Sequence, residues 1–243
     1  GFFLVGASNG FNQIIERERD SIMDRTKNRP IPLGKISPRS AFIICLIMIL
    51  SGIVLLYLIN FRTAFFGLIS ALIYLFLYTP LKTRTPLCVF FGAISGAIPF
   101  MLGWVAATNK FGIEPGVLFM IQFFWQFPHF WAIGWLSDDD YKKAGFKMLP
   151  TGKKDKSTAF QIVFYTIWTI LVSLIPLSGF SGSFSIGYIS GLIIFLSADK
   201  IVSIFSDNPN VISFGTTYLK ISALIFPAYP VFFISNGFFM AIK

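Results

Sequence analysis

The stretch GFFLVGASNGFNQIIERERDSIMD, residues 1–24, passes from an apolar run directly into a row of polar side chains, with Asn12, Glu16, Asp20 and Asp24 recurring every fourth residue. Intervals of four stack side chains on one face of an α-helix. The spacing therefore predicts a helix that carries an acid row to the boundary between membrane and water. Each step climbs about 6 Å at 1.5 Å per residue, so the row is long enough for a divalent cation and the phosphate oxygens it bridges. Ionisable groups at membrane depth are costly and mark functional sites. The plainer alternative is a helix end salt-bridged by Arg17 and Arg19.

Outward from this stretch, the 243-residue chain is 55% hydrophobic and only 13% charged, too apolar for a water-soluble domain. Apolar runs of spanning length fall at roughly 1 to 15, 41 to 60, 63 to 80, 87 to 107, 115 to 136, 158 to 177, 181 to 198 and 214 to 240. Lipid obliges the backbone to satisfy its own hydrogen bonds, and no alternating barrel pattern is present. The expected fold is all-α, a multi-pass transmembrane bundle of eight helices embedded in the lipid bilayer. Cys45 and Cys88 both lie inside apolar runs without paired spacing, which indicates neither a disulfide nor a metal site.

The formal charge of +9 is concentrated in alternate connections. The first holds Arg17, Arg19, Arg25, Lys27, Arg29, Lys35 and Arg39; the third holds Lys82 and Arg84; the fifth holds Lys142, Lys143, Lys147, Lys153, Lys154 and Lys156. By the positive-inside rule these three are cytoplasmic, and membrane topology explains the basic balance without nucleic acid as a partner. The acids Glu16, Glu18, Asp20, Asp24, Asp138, Asp139, Asp140 and Asp155 lie at the same connections. Two acid clusters distant in sequence thus share one membrane face.

An acid-lined surface accepts a phosphate only through a cation, and Mg²⁺ is commonly held by one or two protein carboxylates together with substrate phosphates and water. Arg25, Arg29, Lys82 and Arg84 are placed to neutralise the remaining oxygens of a diphosphate. Taken alone, Asp138–Asp140 reads equally as a solvated loop, and Lys82 and Arg84 equally as topology signals. His129, the single histidine, follows Trp125 and Pro128 one to two turns before the second acid cluster. It reads either as a packed helix residue or as part of the site.

The stretch Asn12-Gln13-Ile14-Ile15-Glu16-Arg17-Glu18-Arg19-Asp20, with Met23-Asp24-Arg25-Thr26 and Asn28-Arg29-Pro30-Ile31-Pro32, resembles the first acid motif of the UbiA-type intramembrane prenyltransferases, and within them the haem O synthases. Tyr78-Thr79-Pro80-Leu81-Lys82-Thr83-Arg84-Thr85 is similar to their middle section. Trp125-Gln126 with Pro128-His129-Phe130, and Asp139-Asp140-Tyr141 with Ala144-Gly145, look like their second acid region. The resemblance implies a UbiA-type bundle in a bacterial cytoplasmic membrane, with its cavity on the cytoplasmic side. It also implies Mg²⁺-dependent transfer of farnesyl from farnesyl diphosphate to a vinyl group of haem B, giving haem O. Carried over by position, Asn12, Glu16 and Asp20 belong to the first metal and diphosphate site, and Asp139 and Asp140 to the second; Asp20, Asp139 and Asp140 are the expected catalytic carboxylates. Trp125, His129 and Tyr141 are the expected acceptor-binding residues.

Three departures accompany the resemblance. The family's first helix is expected to be absent, so that the opening segment corresponds to helix two. Cys88 stands where many relatives have Asn. From about Ser197, Ile204-Phe205-Ser206-Asp207-Asn208-Pro209 and Tyr218-Leu219-Lys220-Ile221 instead resemble a segment of multidrug and toxic compound extrusion transporters. The expected division is a prenyltransferase bundle over 1–196 and a C-terminal segment of other origin over 197–243. The rival functions are a UbiA-type enzyme with another aromatic acceptor, or a polytopic transporter. A transporter would place its coupling acids in a central cavity, whereas these collect at one boundary.

Overall fold

A computed structural model describes residues 1–173, 175, 195–203, 209, 212–213, 216–217 and 220, and among these residues the only regular structure is helical. The helices are α1 (Phe2–Asp20), α2 (Pro38–Ile59), α3 (Phe61–Leu72, carried on through a π-helical turn at Ile73–Tyr78 and through Thr79–Leu81), α4 (Cys88–Thr108), α5 (Ile113–Leu136), the short α6 (Asp138–Lys143) and α7 (Lys156–Ser173). Six of the eight expected runs coincide with helices. The other two, over 181–198 and 214–240, fall largely outside the described residues, as does most of the segment from 197 onward.

Local chemistry sets these boundaries. Ser37 caps α2 by accepting from Ser40 N at 3.0 Å, with Pro38 at the first helical position, where its missing N–H costs nothing. Asn60 closes α2 and opens α3, its Oδ1 accepting from Thr63 N at 2.8 Å. Its Nδ2 donates to the Val105 and Ala106 carbonyls near the end of α4. Asn109 then ends α4 in the left-handed region at φ 51°, a conformation asparagine tolerates. The second and fourth connections are thereby tied together at one end of the bundle.

The first, third and fifth connections meet at the other end. Lys147 N donates to Lys82 O at 2.6 Å, and Arg25 N donates to Asp140 Oδ2 at 3.1 Å. The charge alternation read from the sequence is thus a spatial grouping of three loops.

Helices α2, α3 and α4 are each long and apolar enough to cross a membrane. The lipid-facing side of α2 exposes Ile43, Ile47, Leu50, Val54 and Leu58, while Ala41, Cys45, Gly52 and Leu56 turn inward. Successive long helices pack on one another, and α1 also reaches α3. Two glycines mark close approaches that position the site. A Cβ on Gly52 would stand 2.9 Å from the backbone nitrogen of Leu4, and one on Gly92 would stand 2.9 Å from the Tyr78 ring. Both are far inside ordinary contact, so α1 lies directly against α2, and the Tyr78 ring fills the place of a side chain on α4.

The π turn in α3 has a sequence cause. Pro80 has no N–H and its ring excludes the carbonyl four residues earlier. The widened turn lets Thr79 N bond to Tyr74 O instead, a link that Thr79 Oγ1 reinforces at 2.8 Å.

Candidate active site at the basic end of the bundle

Leu4, Ser8, Asn12, Glu16 and Asp20 form the buried stripe of α1, so the four-residue row predicted from spacing is real from its apolar start to Asp20. It stops there. The helix ends at Asp20, and Asp24 lies in the following turns, exposed and bonded to Lys27 at 2.6 Å and Lys143 at 2.9 Å. These two lysines hold its carboxyl down at about 2. Glu18 is 86% exposed at its side chain, as its place off the row requires.

A second row faces the first. Tyr74, Tyr78 and Lys82 also recur every fourth residue, along the end of α3. The two helices run parallel and are joined by three rungs. Tyr74 OH donates to Asn9 Oδ1 at 3.2 Å, and Asn12 Nδ2 donates to Thr79 Oγ1 at 3.1 Å. Lys82 Nζ lies 2.9 Å from Oε1 and 3.0 Å from Oε2 of Glu16, with only the Oε2 contact aligned as a hydrogen bond. The same ammonium stands 4.5 Å from the centre of the Tyr78 ring. A desolvated charge pair of this kind holds only because each charge compensates the other.

After α1 the chain folds back. Thr26 Oγ1 caps the Asp20 carbonyl at 2.9 Å, Met23 is buried under the turn, and Arg29 Nη1 returns to Asp20 Oδ2 at 2.7 Å. The other oxygen, Oδ1, is buried without a hydrogen-bond partner. A buried carboxylate oxygen without a partner, beside a cavity, is a group that a bound ligand could satisfy.

That cavity measures about 180 Å³ and is lined by the Asn12, Glu16 and Asp20 row, the cations Arg25, Arg29 and Lys82, and the rings of Tyr74, Tyr78, Phe130, Tyr141 and Phe146. Tyr74 and Phe130 also line a second space of about 290 Å³, whose other walls include Leu4, Leu56, Gly67, Gly92 and Leu102. A charged receptacle therefore stands against an apolar chamber, with two aromatic side chains belonging to both.

The structure brings together Asn12, Glu16, Asp20, Arg25, Arg29, Lys82 and Tyr141 of the residues expected from sequence. Asp139, Asp140, Arg84, Trp125 and His129 lie outside this wall. Asp140 is at the same end but accepts from the Arg25 backbone and lies 3.5 Å from Lys143, and the Arg25 N–H keeps its carboxyl below the usual carboxylate range. Asp139 and Arg84 are exposed. Trp125 and His129 stack on each other with ring centres 4.3 Å apart, and His129 is exposed beside Phe130. Helix α6 reaches the cavity through Tyr141, whose hydroxyl accepts from Arg25 Nη2 at 3.3 Å and is pushed above its ordinary pKa by burial.

Tyr74, Phe130, Phe146, Met23 and Met148 line the cavity without having been anticipated. The Tyr74, Tyr78, Lys82 spacing was the available signal for the first of them. The others come from loops and from α5, and no spacing in the sequence connects them.

The UbiA prenyltransferase family matches residues 1–236, so the match continues across residue 197, where the texture of the sequence changes. Over 196 residues the chain is 64% identical to a protoheme IX farnesyltransferase of Christiangramia forsetii and 59% identical to one of Flavobacterium psychrophilum. In each case the alignment covers 81% of this chain and 65% of the relative, so the chain spans about two thirds of the length of the curated relatives it matches. Two solved structures share the fold. One is the apo structure of a UbiA homologue from Aeropyrum pernix K1, with a TM-score of 0.69 at 14% identity, covering 99% of this chain and 86% of that one. The other is a UbiA homologue from Archaeoglobus fulgidus bound to GPP and Mg²⁺, with a TM-score of 0.62 at 20% identity, covering 94% and 83%.

Proposed function

The chain belongs to the UbiA prenyltransferase family of multi-pass integral membrane proteins, and we propose that it transfers a farnesyl group from farnesyl diphosphate to a vinyl group of haem B, giving haem O. The observation that carries the donor is the juxtaposition of a cavity walled by acids and cations with an apolar chamber, Tyr74 and Phe130 lining both. Diphosphate fits the first and a long isoprenoid tail the second. The haem acceptor rests on the relatives, which are protoheme IX farnesyltransferases at 64% and 59% identity.

The donor set suits Mg²⁺. Asp20 Oδ1 is buried and unpaired, with Glu16 and Asn12 on the same stripe. Among the described residues no group of three or more His, Cys, Asp or Glu is arranged to hold a metal. The ion's remaining ligands would then be water and the substrate's own phosphates, the usual arrangement for Mg²⁺. Asn12, Glu16 and Asp20 would hold the ion, and when bound it supplies positive charge to the departing diphosphate. Asp139 and Asp140, at the same end, are assigned to a second cation.

Arg25, Arg29 and Lys82 bind the diphosphate oxygens and stabilise the charge that develops as the C–O bond breaks. The electron pair leaves with diphosphate, and the allylic cation faces the Tyr78 and Phe130 rings, each such contact being worth up to about 2 kcal/mol when desolvated. The vinyl π pair then attacks the cationic carbon, and the cation this leaves on the carbon next to the porphyrin takes up water and loses a proton to give haem O. Trp125, His129 and Tyr141 are assigned to the porphyrin. By the charge alternation the site opens to the cytoplasm, in a bacterial cytoplasmic membrane.

The deciding experiment supplies the purified protein with Mg²⁺, farnesyl diphosphate and haem B and resolves the products by mass. A farnesylated haem is expected, together with its loss when the metal is chelated. Diphosphate release without a haem adduct would keep the prenyltransferase and reject the acceptor.

The motifs quoted above all precede residue 197, and we assign the chemistry to residues 1–196. Deleting residues 197–243 is expected to lower thermal stability in detergent while leaving turnover of the folded protein within about fivefold, as for a segment outside the reacting groups. A folded truncation that has lost all turnover would place part of the site in the tail.

A further inference from the structure

Gln126 is a buried amide facing the apolar chamber, and among the described residues its side chain has no hydrogen-bond partner. The protons of the chamber's serine hydroxyls are all committed. Ser8 Oγ donates to Leu4 O, Ser70 Oγ to Ser95 O and Ser95 Oγ to Gly92 O. Buried polar groups are almost always paired, and the exceptions call for a ligand or an ordered water. Gly96 supports the same reading, because a Cβ there would fall on the Gln126 amide. The glycine keeps open the space that the amide occupies.

The position is as informative as the missing partner. Gln126 and Phe130 are four residues apart on α5, so they share a face about 6 Å apart along the axis. On α4, Gly92 meets Tyr78 and Phe130 while Gly96, one turn away, meets Gln126. The amide thus stands one helical turn from the rings that line both cavities, where the allylic carbon and the vinyl group have to meet. A vinyl group whose π pair attacks an allylic cation becomes a cation itself, on the carbon next to the porphyrin. That cation is discharged either by losing a proton, which gives an alkene, or by taking up water, which gives an alcohol. In an apolar chamber free water is scarce, and proton loss prevails unless a water is held there.

Resting on the farnesyltransferase reading, we propose that Gln126 holds the water molecule that captures this second cation. The amide nitrogen donates to the water oxygen, and the amide oxygen accepts one of its protons. A Ser95 Oγ lone pair offers a second acceptor in the same chamber. In the step itself the water oxygen forms a bond to the cationic carbon, and its proton passes to the departed diphosphate, so charge and atoms balance. Gln126 is in this sense a positioning residue that decides the identity of the product.

The test compares wild type and Gln126→Leu in the assay with Mg²⁺, farnesyl diphosphate and haem B, reading the mass of the farnesylated haem. Wild type is expected to give the adduct that contains one added water. Gln126→Leu is expected to raise the ratio of the dehydrated adduct to the hydrated one at least tenfold. Gly96→Ala, whose new methyl displaces the amide, is a second variant that keeps the glutamine, and its expected shift is in the same direction. An unchanged ratio in either folded variant overturns the inference, even if total turnover falls, because a role in packing or acceptor binding lowers rate without altering the product. Absence of any farnesylated haem from wild type would instead overturn the farnesyltransferase reading, and this inference with it.

Discussion

Asp20→Ala is expected to abolish turnover, with kcat/KM falling on the order of 10³-fold or more, the loss that follows when an electrostatic hold worth several kcal/mol is removed from a leaving group. The bundle remains folded. Asp20 is 1% exposed and pairs through one oxygen only, so its removal deletes a buried charge instead of stranding one, and Arg29, 32% exposed at its side chain, turns to water. The measurement is diphosphate release against Mg²⁺ concentration, with thermal unfolding as the control for structure. Near-normal turnover in saturating Mg²⁺ would remove Asp20 from the machinery. Glu18→Ala, two residues away on the exposed face, is the matched control and is expected to alter turnover less than about threefold, as exposed substitutions away from a site do.

Lys82→Met produces the largest loss of stability. Lys82 and Glu16 are 10% and 5% exposed at their side chains, and removing one partner strands the other charge in a desolvated place, at about 3–5 kcal/mol. The same substitution removes a cation from the cavity proposed to hold the diphosphate, so binding of the donor is expected to fall as well. The double variant Glu16→Gln with Lys82→Met separates the two effects. With neither charge present, the fold returns to within about 1 kcal/mol of wild type, because an isosteric neutral pair avoids the desolvation penalty, while turnover stays lost. Denaturant or thermal unfolding in detergent reads the first, and diphosphate release reads the second. An unchanged unfolding midpoint in the single variant would mean that Glu16 is rescued by another cation, for which Arg29 is the neighbour to examine.

Both expectations depend on a ladder that the sequence half disclosed. The α1 stripe was legible because a four-residue spacing is a local property of a helix, and because acids at the end of an apolar run are costly enough to require a reason. The end of that helix was less legible. Asp24 continued the spacing by number alone, while Thr26 turned the chain back at Asp20 and left Asp24 to Lys27 and Lys143. Asp140, and with it α6, lies at the same end as the α1 row. The short α6 nonetheless presents Tyr141 to the cavity, while Asp140 bonds to the Arg25 backbone.

The sequence by itself determined the helical class, the positions of the spans it shares with the structure, the grouping of the three basic connections and the Asn12, Glu16, Asp20 stripe. All of these follow from period, length and charge, which act within a single segment. Tertiary structure alone decided which side chains close the site. Tyr74 and Phe130 come to stand between the two cavities through the close approaches at Gly52 and Gly92 and through the π turn before Pro80. The extra residue of a widened turn rotates everything beyond it by roughly 100° relative to an uninterrupted helix. Which face of α3 meets α1 is therefore set by how the backbone accommodates one proline, and a count along the sequence at 3.6 residues per turn passes over that rotation.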